Sequence, residues 1–131
     1  MADIACDTTF LIDLQHSSRS RAGVAAREFL RAHAQDDLYL PVVALGEFAA
    51  GFADLRDQKF VDTARHFVIL NVDDSVAMTY RTLFRTLQSA EQLIGANDLW
   101  IAATAVRHQL PLVTSNTIEF SRVRPLRLLP Y

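Results

Sequence analysis

Short apolar runs alternate with longer amphipathic stretches along this chain. Ile4-Ala5-Cys6 reads as a short buried strand, and Asp7-Thr8-Thr9 supplies capping side chains for a helix through Phe10, Leu11 and Leu14. Ala22, Ala25, Ala26, Phe29 and His33 recur at helical spacing and predict a second helix over about 20–34. Leu38-Tyr39-Leu40 reads as a strand. Pro41 then suits the first turn of a third helix with the stripe Leu45, Phe48, Ala49 and Phe52. A fourth helix is predicted over 58–66 and a strand over 67–70. Asp73-Asp74-Ser75 caps a long helix striped by Val76, Tyr80, Leu83, Phe84 and Leu87. Gly95-Ala96-Asn97 marks a break before a helix over about 98–108, striped by Leu99, Ala102, Ala103 and Val106. Strands over 111–114 and near 126–129 close the pattern. Short apolar strands alternating with helices predict an α/β fold whose parallel sheet is covered on both faces.

Acids interrupt this apolar background at particular places. Asp7 follows the first strand, Glu47 lies within Val42-Val43-Ala44-Leu45-Gly46-Glu47-Phe48, and Asp98 opens the helix that feeds the strand at 111–114. That strand ends in the polar cluster Thr114-Ser115-Asn116-Thr117, with Glu119 just beyond. In an open parallel sheet, ligands collect beyond the carboxyl ends of the strands. Asp7, Asn116 and Glu119 follow strands directly, and Glu47 sits early in a helix that follows one. Asp98 follows a helix, so the sheet-end argument bears on it less. Each acid also has a purely structural reading: Asp7 and Asp98 as helix-start residues favoured by capping and the macrodipole, Glu47 and Glu119 as ordinary helical or surface acids.

If the acids do meet, something must hold them. Two like charges about 5 Å apart at an effective dielectric near 20 repel by roughly 3 kcal/mol. Three or four carboxylates therefore take up protons or bind cations. Hard oxygen donors select Mg²⁺ or Mn²⁺ over Zn²⁺. Such ions activate water and neutralise a leaving oxygen, so the chemistry implied is phosphodiester hydrolysis.

Composition narrows the field. With 131 residues the chain has the length of one domain, and one domain over 1–131 is expected, since no repeat, low-complexity tract or linker interrupts it. The net charge of −2 argues against a binder that works by general attraction to nucleic acid. It leaves open an enzyme that meets phosphate through bound cations and a few arginines. Arg supplies 12 of the 13 basic residues and Lys59 the other, a bias that suits bidentate phosphate pairing but also follows from genome composition. No apolar run approaches the roughly 20 residues that span a bilayer. The first residues lack a basic region followed by an apolar one, so a cytoplasmic location is expected. Cys6, the single cysteine, reads as a small buried hydrophobe. His16, His33, His66 and His108 do not fall at paired zinc-ligand spacing, and no glycine-rich phosphate loop occurs.

Taken together, Asp7-Thr8-Thr9-Phe10-Leu11-Ile12, Glu47 with Gly51, Asp98-Leu99-Trp100-Ile101-Ala102-Ala103-Thr104-Ala105 and Leu112-Val113-Thr114-Ser115-Asn116 with Glu119-Phe120 resemble the PIN-domain family. The likeness is specifically to the VapC-type toxins of bacterial toxin–antitoxin pairs, and it covers nearly the whole chain. The resemblance implies a three-layer sandwich with a five-stranded, mainly parallel sheet between helices. It further implies a Mg²⁺- or Mn²⁺-dependent endoribonuclease with Asp7, Glu47 and Asp98 as the core metal ligands. Asn116 and Glu119 fall at the last, variable acidic position, and Glu119 ranks above Asn116 because an amide adds no charge to balance a cation. Thr8 or Thr9 then orients Asp7 or a water, or simply caps the helix. Implied partners are an RNA substrate such as transfer or ribosomal RNA, a small antitoxin protein and a second copy in a homodimer, with no membrane. The family's common Gly after the helix bearing Ala102-Ala103 is replaced here by His108-Gln109-Leu110, so an altered helix end is expected.

Other features read as structural. Trp100 is expected in the core or a dimer contact rather than as a base-stacking platform. Arg81 and Arg85 are expected on a solvated face, with RNA phosphate or an antitoxin carboxylate as the other reading. Ala22, Ala25, Ala26 and Phe29 are expected in the core, or lining a groove for an antitoxin helix. Two other functional classes compete: a receiver-like domain phosphorylated on Asp, and a PIN-like module that binds without cleaving. The receiver reading wants an acidic pair after strand one and a late Lys; here Asp7 stands alone and Lys59 is far from the last strand.

Overall fold

A computed structural model describes residues 2–16 and 19–131. The chain opens with β1 (Asp3–Cys6), α1 (Thr8–Gln15) and α2 (Arg21–Ala32), then β2 (Asp37–Pro41), α3 (Val42–Ala49), α4 (Gln58–Ala64) and β3 (Val68–Leu70). It continues through α5 (Asp74–Ser89), α6 (Ala96–Arg107), β4 (Leu112–Val113), α7 (Thr117–Phe120) and β5 (Leu128–Leu129). The expected sheet is present, five strands in the order β3-β2-β1-β4-β5 with every pairing parallel. Registers such as Ile4↔Leu38, Cys6↔Val113 and Val113↔Leu129 align all the carboxyl ends along one edge. A receiver-like domain runs in the order 2-1-3-4-5, so the topology rules that alternative out.

Parallel strands need crossovers, and these are right-handed almost without exception. Moving from β1 out to β3 places α1 to α4 on one face; the return from β3 to β4 places α5 and α6 on the other. The packing agrees: α1 meets α2, α3 and α4, and α5 lies along α6. Both faces being covered, the central strands are apolar throughout, with Ala5, Cys6, Leu40, Leu112 and Val113 fully buried. Burial and the charge of Asp7 together push the Cys6 thiol well above its usual range. In α6, Leu99, Ile101, Ala102, Ala103, Thr104 and Ala105 are all buried, and a helix enclosed on most sides needs this run of small residues.

The differences from the sequence reading have local causes. Pro41 closes β2 instead of opening α3; at a strand end its missing N–H costs no ladder bond, and its extended ψ of 137° suits the exit. Helix α3 stops at Ala49, yet Phe52 beyond it still packs edge-on against Phe48, with centroids 5.1 Å apart. The buried face of α2 carries Gly23 and Ala26, while Ala22 is exposed, so the stripe is rotated by one residue. Helix α6 starts two residues early, at Ala96. Helix α7 was not expected at all: four residues are too few for a periodic signal, and it is the fully buried Phe120 that draws the turn down. Trp100 is half-buried and stacked on Tyr80 at 3.8 Å; Arg81 and Arg85 are exposed. Among the described residues no helix is long and apolar enough to cross a membrane.

The end of α6 closes through a left-handed residue that is not glycine. Gln109 adopts a left-handed φ of 56°, its N–H donates to Val106 O, and Leu110 N–H donates to Ala105 O at 2.9 Å. This paired closure normally favours glycine at the left-handed position. An L side chain there costs roughly 1 kcal/mol, partly offset by the greater chain entropy that glycine loses on folding. Gln109→Gly is therefore expected to stabilise the protein by roughly 0.5 kcal/mol, readable as a higher urea midpoint at unchanged m-value.

Candidate functional site

In this strand order the connections from β1 and into β4 leave on opposite sides, so the crevice between those two strands is the switch point where ligands bind. Asp7 is the first residue past β1 and is only 2% exposed. Its Oδ1 accepts the N–H of Phe10 at 3.0 Å, so it caps α1. Thr9 Oγ1 bonds to both carboxylate oxygens at 2.9 and 3.0 Å, and Thr114 Oγ1, from the far side of the crevice, donates to Oδ2. Burial raises the Asp7 carboxyl above its ordinary range, and the bonds from Thr114, Phe10 and Thr9 pull it back. Capping and site chemistry are thus one arrangement, since the helix that Asp7 starts also holds its oxygens at the sheet edge.

Glu47 projects from the middle of α3, where both its oxygens are engaged. Oε1 accepts from Thr8 Oγ1 at 2.7 Å, and Oε2 accepts from Asn97 Nδ2 at 3.2 Å. Asn97 precedes Asp98 in the first turn of α6, a helix whose N-terminus has no side-chain cap. Asp98 is half-buried, and its carboxyl lies within hydrogen-bonding reach of Glu119 on α7. Burial, the bond to Glu119 and then the charges of Glu119, Glu47 and Asp7 push Asp98 up to about 6. Helix α7 therefore delivers Glu119 to Asp98, whereas Asn116 takes part through its backbone, its N–H donating to Thr114 Oγ1 at 2.9 Å.

Among the described residues no three His, Cys, Asp or Glu side chains are closed around one point as in a finished metal cage. Asp98 and Glu119 touch; Glu47 and Asp7 act on Asp98 through their charge alone. Nor does a basic side chain neutralise the group: the ion pairs found among described residues are His33–Asp36 and Arg56–Asp54, neither of them a site residue. An all-oxygen set of this kind, with no basic partner among the described ion pairs, fits the hard donor chemistry of a divalent cation. The largest cavities described, such as one of about 390 Å³ lined by Arg27, Arg31, His33 and His66, lie away from the acids.

Sequence reading reached the acids but missed what holds them. Thr114 was seen only as the end of a strand, Asn97 only as part of a break, and the division of labour between Thr8 (on Glu47) and Thr9 (on Asp7) was left open. The polar cluster after β4 was the one available signal.

Fold and site define a parallel α/β protein with a carboxylate-lined switch point. A family model of the PIN domain matches residues 4–125, and the chain belongs to that family. Ribonuclease VapC of Rickettsia bellii (strain RML369-C) is 28% identical over 102 residues, 72% of this chain and 76% of the relative. Ribonuclease VapC1 of Methanocaldococcus jannaschii is 26% identical over 93 residues, 70% of this chain and 68% of its own. The crystal structure of DNA-bound VapBC from Salmonella typhimurium shares the fold with a TM-score of 0.81 at 20% identity, over 99% of this chain and 98% of that one.

A carboxyl raised in the folded state stabilises the fold where it is protonated, and that contribution is lost as pH rises through its folded value. For Asp98 the window runs from its ordinary range up to about 6. In chelator, Asp98→Asn removes the repulsion at every pH, so its melting temperature should gain on the wild type as pH rises from about 4 to about 7. A constant difference across that range would show that burial and charged neighbours do not raise Asp98.

Proposed function

We propose that this protein is a divalent-metal-dependent endoribonuclease, the toxin of a toxin–antitoxin pair, with Asp7, Glu47, Asp98 and Glu119 as its acidic site. The observation that carries the reading is the meeting of Asp98 with Glu119 in the field of Glu47 and Asp7, with no basic partner, at the switch point of a PIN fold. The relatives named as ribonucleases support the reaction class. The structural neighbours determined as VapBC complexes support a small antitoxin as partner.

Asp7, Asp98 and Glu119, with Glu47 beside them, would hold Mg²⁺ or Mn²⁺, which when bound supplies Lewis acidity toward water and phosphate. The chain's own groups do the rest. Thr9, Thr114 and the Phe10 N–H oppose the upward shift that burial imposes on Asp7 and hold its oxygens at the crevice. Thr8 and Asn97 grip both oxygens of Glu47, so its orientation is set before substrate arrives. Asp98, raised by burial and crowded by Glu119, Glu47 and Asp7, has an ionised form that a bound cation would stabilise. Because water activated by a bound ion would be the attacking group, hydrolysis would need no covalent enzyme intermediate. A transfer or ribosomal RNA, recognised by shape and a few arginines, is the substrate class, and the active form is a homodimer in the cytoplasm. The non-cleaving alternative is disfavoured because all four acids are present.

Asp98→Asn should lower cleavage of RNA by at least about 100-fold while leaving the circular dichroism spectrum intact; cleavage at the wild-type rate would remove Asp98 from the site. Excess EDTA should abolish cleavage, and Mg²⁺ or Mn²⁺ added back should restore it. Full activity in chelator would point instead to a metal-free ribonuclease.

A further inference from the structure

Strand β5 also points its carboxyl end at the switch point. Val113 pairs with Leu129, and Thr114 N–H donates to Leu129 O at 3.2 Å, so two residues further on Tyr131 falls opposite Ser115. Its ring packs edge-on against Phe10, with centroids 5.1 Å apart. Its hydroxyl donates to Asp13 Oδ2 and lies within hydrogen-bonding reach of Ser115 and Thr9. Thr9 and Asp13 are four residues apart on α1 and share one face of it. Ser115 Oγ in turn reaches Thr9 Oγ1 at 3.4 Å.

These contacts amount to a count of protons. Thr9 has one hydroxyl proton, and it bonds to Asp7. Asp13 is a second acceptor, one turn along the same face of α1. Tyr131 supplies Asp13 with a donor of its own, which leaves Thr9 free to serve Asp7. It also ties Ser115, and with it the segment leading to Glu119, back onto α1.

We propose that Tyr131 is a positioning residue for the acidic site: by bonding Asp13 beside Thr9 and Ser115, it reserves the Thr9 hydroxyl for Asp7 and anchors the β4–α7 segment that carries Glu119. This rests on the function proposed above, since it treats Asp7 and Glu119 as cation-holding groups.

The test is Tyr131→Phe, which keeps the ring on Phe10 and removes only the hydroxyl. Mn²⁺ affinity measured by calorimetry should weaken roughly three- to tenfold. The rate constant for RNA cleavage should fall by a similar factor at unchanged KM, with a melting temperature within a few degrees of wild type. Adding Asp13→Ala should recover most of the lost affinity, because the competing acceptor is then gone. Amide hydrogen exchange over 114–119 should accelerate in Tyr131→Phe, with exchange in α5 unchanged. Wild-type affinity, turnover and exchange in Tyr131→Phe would overturn the proposal, as would a loss that appears in Tyr131→Ala but not in the Phe variant. If the wild-type protein itself neither binds Mn²⁺ nor cleaves RNA, the proposed function fails instead. The exchange measurement still decides whether Tyr131 anchors the segment.

Discussion

An Asp carboxyl with 2% of its surface exposed is the constraint around which this molecule is built. Left without partners, a buried carboxylate costs several kcal/mol and takes up a proton. Three donors oppose that outcome at Asp7: a backbone N–H of the helix it starts, a hydroxyl two residues on, and a hydroxyl 107 residues away at the end of the neighbouring strand. Only a parallel pairing of β1 with β4 brings Thr114 to it, because only then do both strands end on the same edge. The strand order, the first helix and the site are consequences of a single local solution.

Elsewhere in the site neutral donors again take the place of cations. Hydroxyls and an amide orient Asp7 and Glu47 without lowering the net negative charge. An arginine would have fixed the same geometry and cancelled the field. The repulsion is thereby preserved and falls most heavily on Asp98, the acid with a carboxyl neighbour at bonding distance. Such an arrangement leaves strain uncompensated within the protein itself, as functional sites commonly do.

The layered architecture was legible from the sequence because each element carries a strong local signal: Asp73 ahead of the α5 stripe, Ser20 ahead of α2, the apolar runs of β1 and β4. The acids stood out because they interrupt those runs. What escaped was whatever depends on through-space pairing. Nothing near Asn97 indicates that it bonds a side chain 50 residues away, and nothing near Tyr131 points to Asp13, 118 residues back. Helix α7 escaped for a different reason, its position being set by one buried phenylalanine. The Gln109 helix end illustrates the converse: a residue other than glycine takes the left-handed position, because the hydrogen bonds that close the helix outweigh a modest conformational cost.

The two outermost strands, β3 with three residues and β5 with two, leave almost no free ladder along either rim of the sheet. Backbone groups there are too few to template a further strand. Association with a second copy or with another polypeptide must therefore be written in side chains on the helical layers, where single substitutions can retune partner choice without disturbing the sheet that aims the acids.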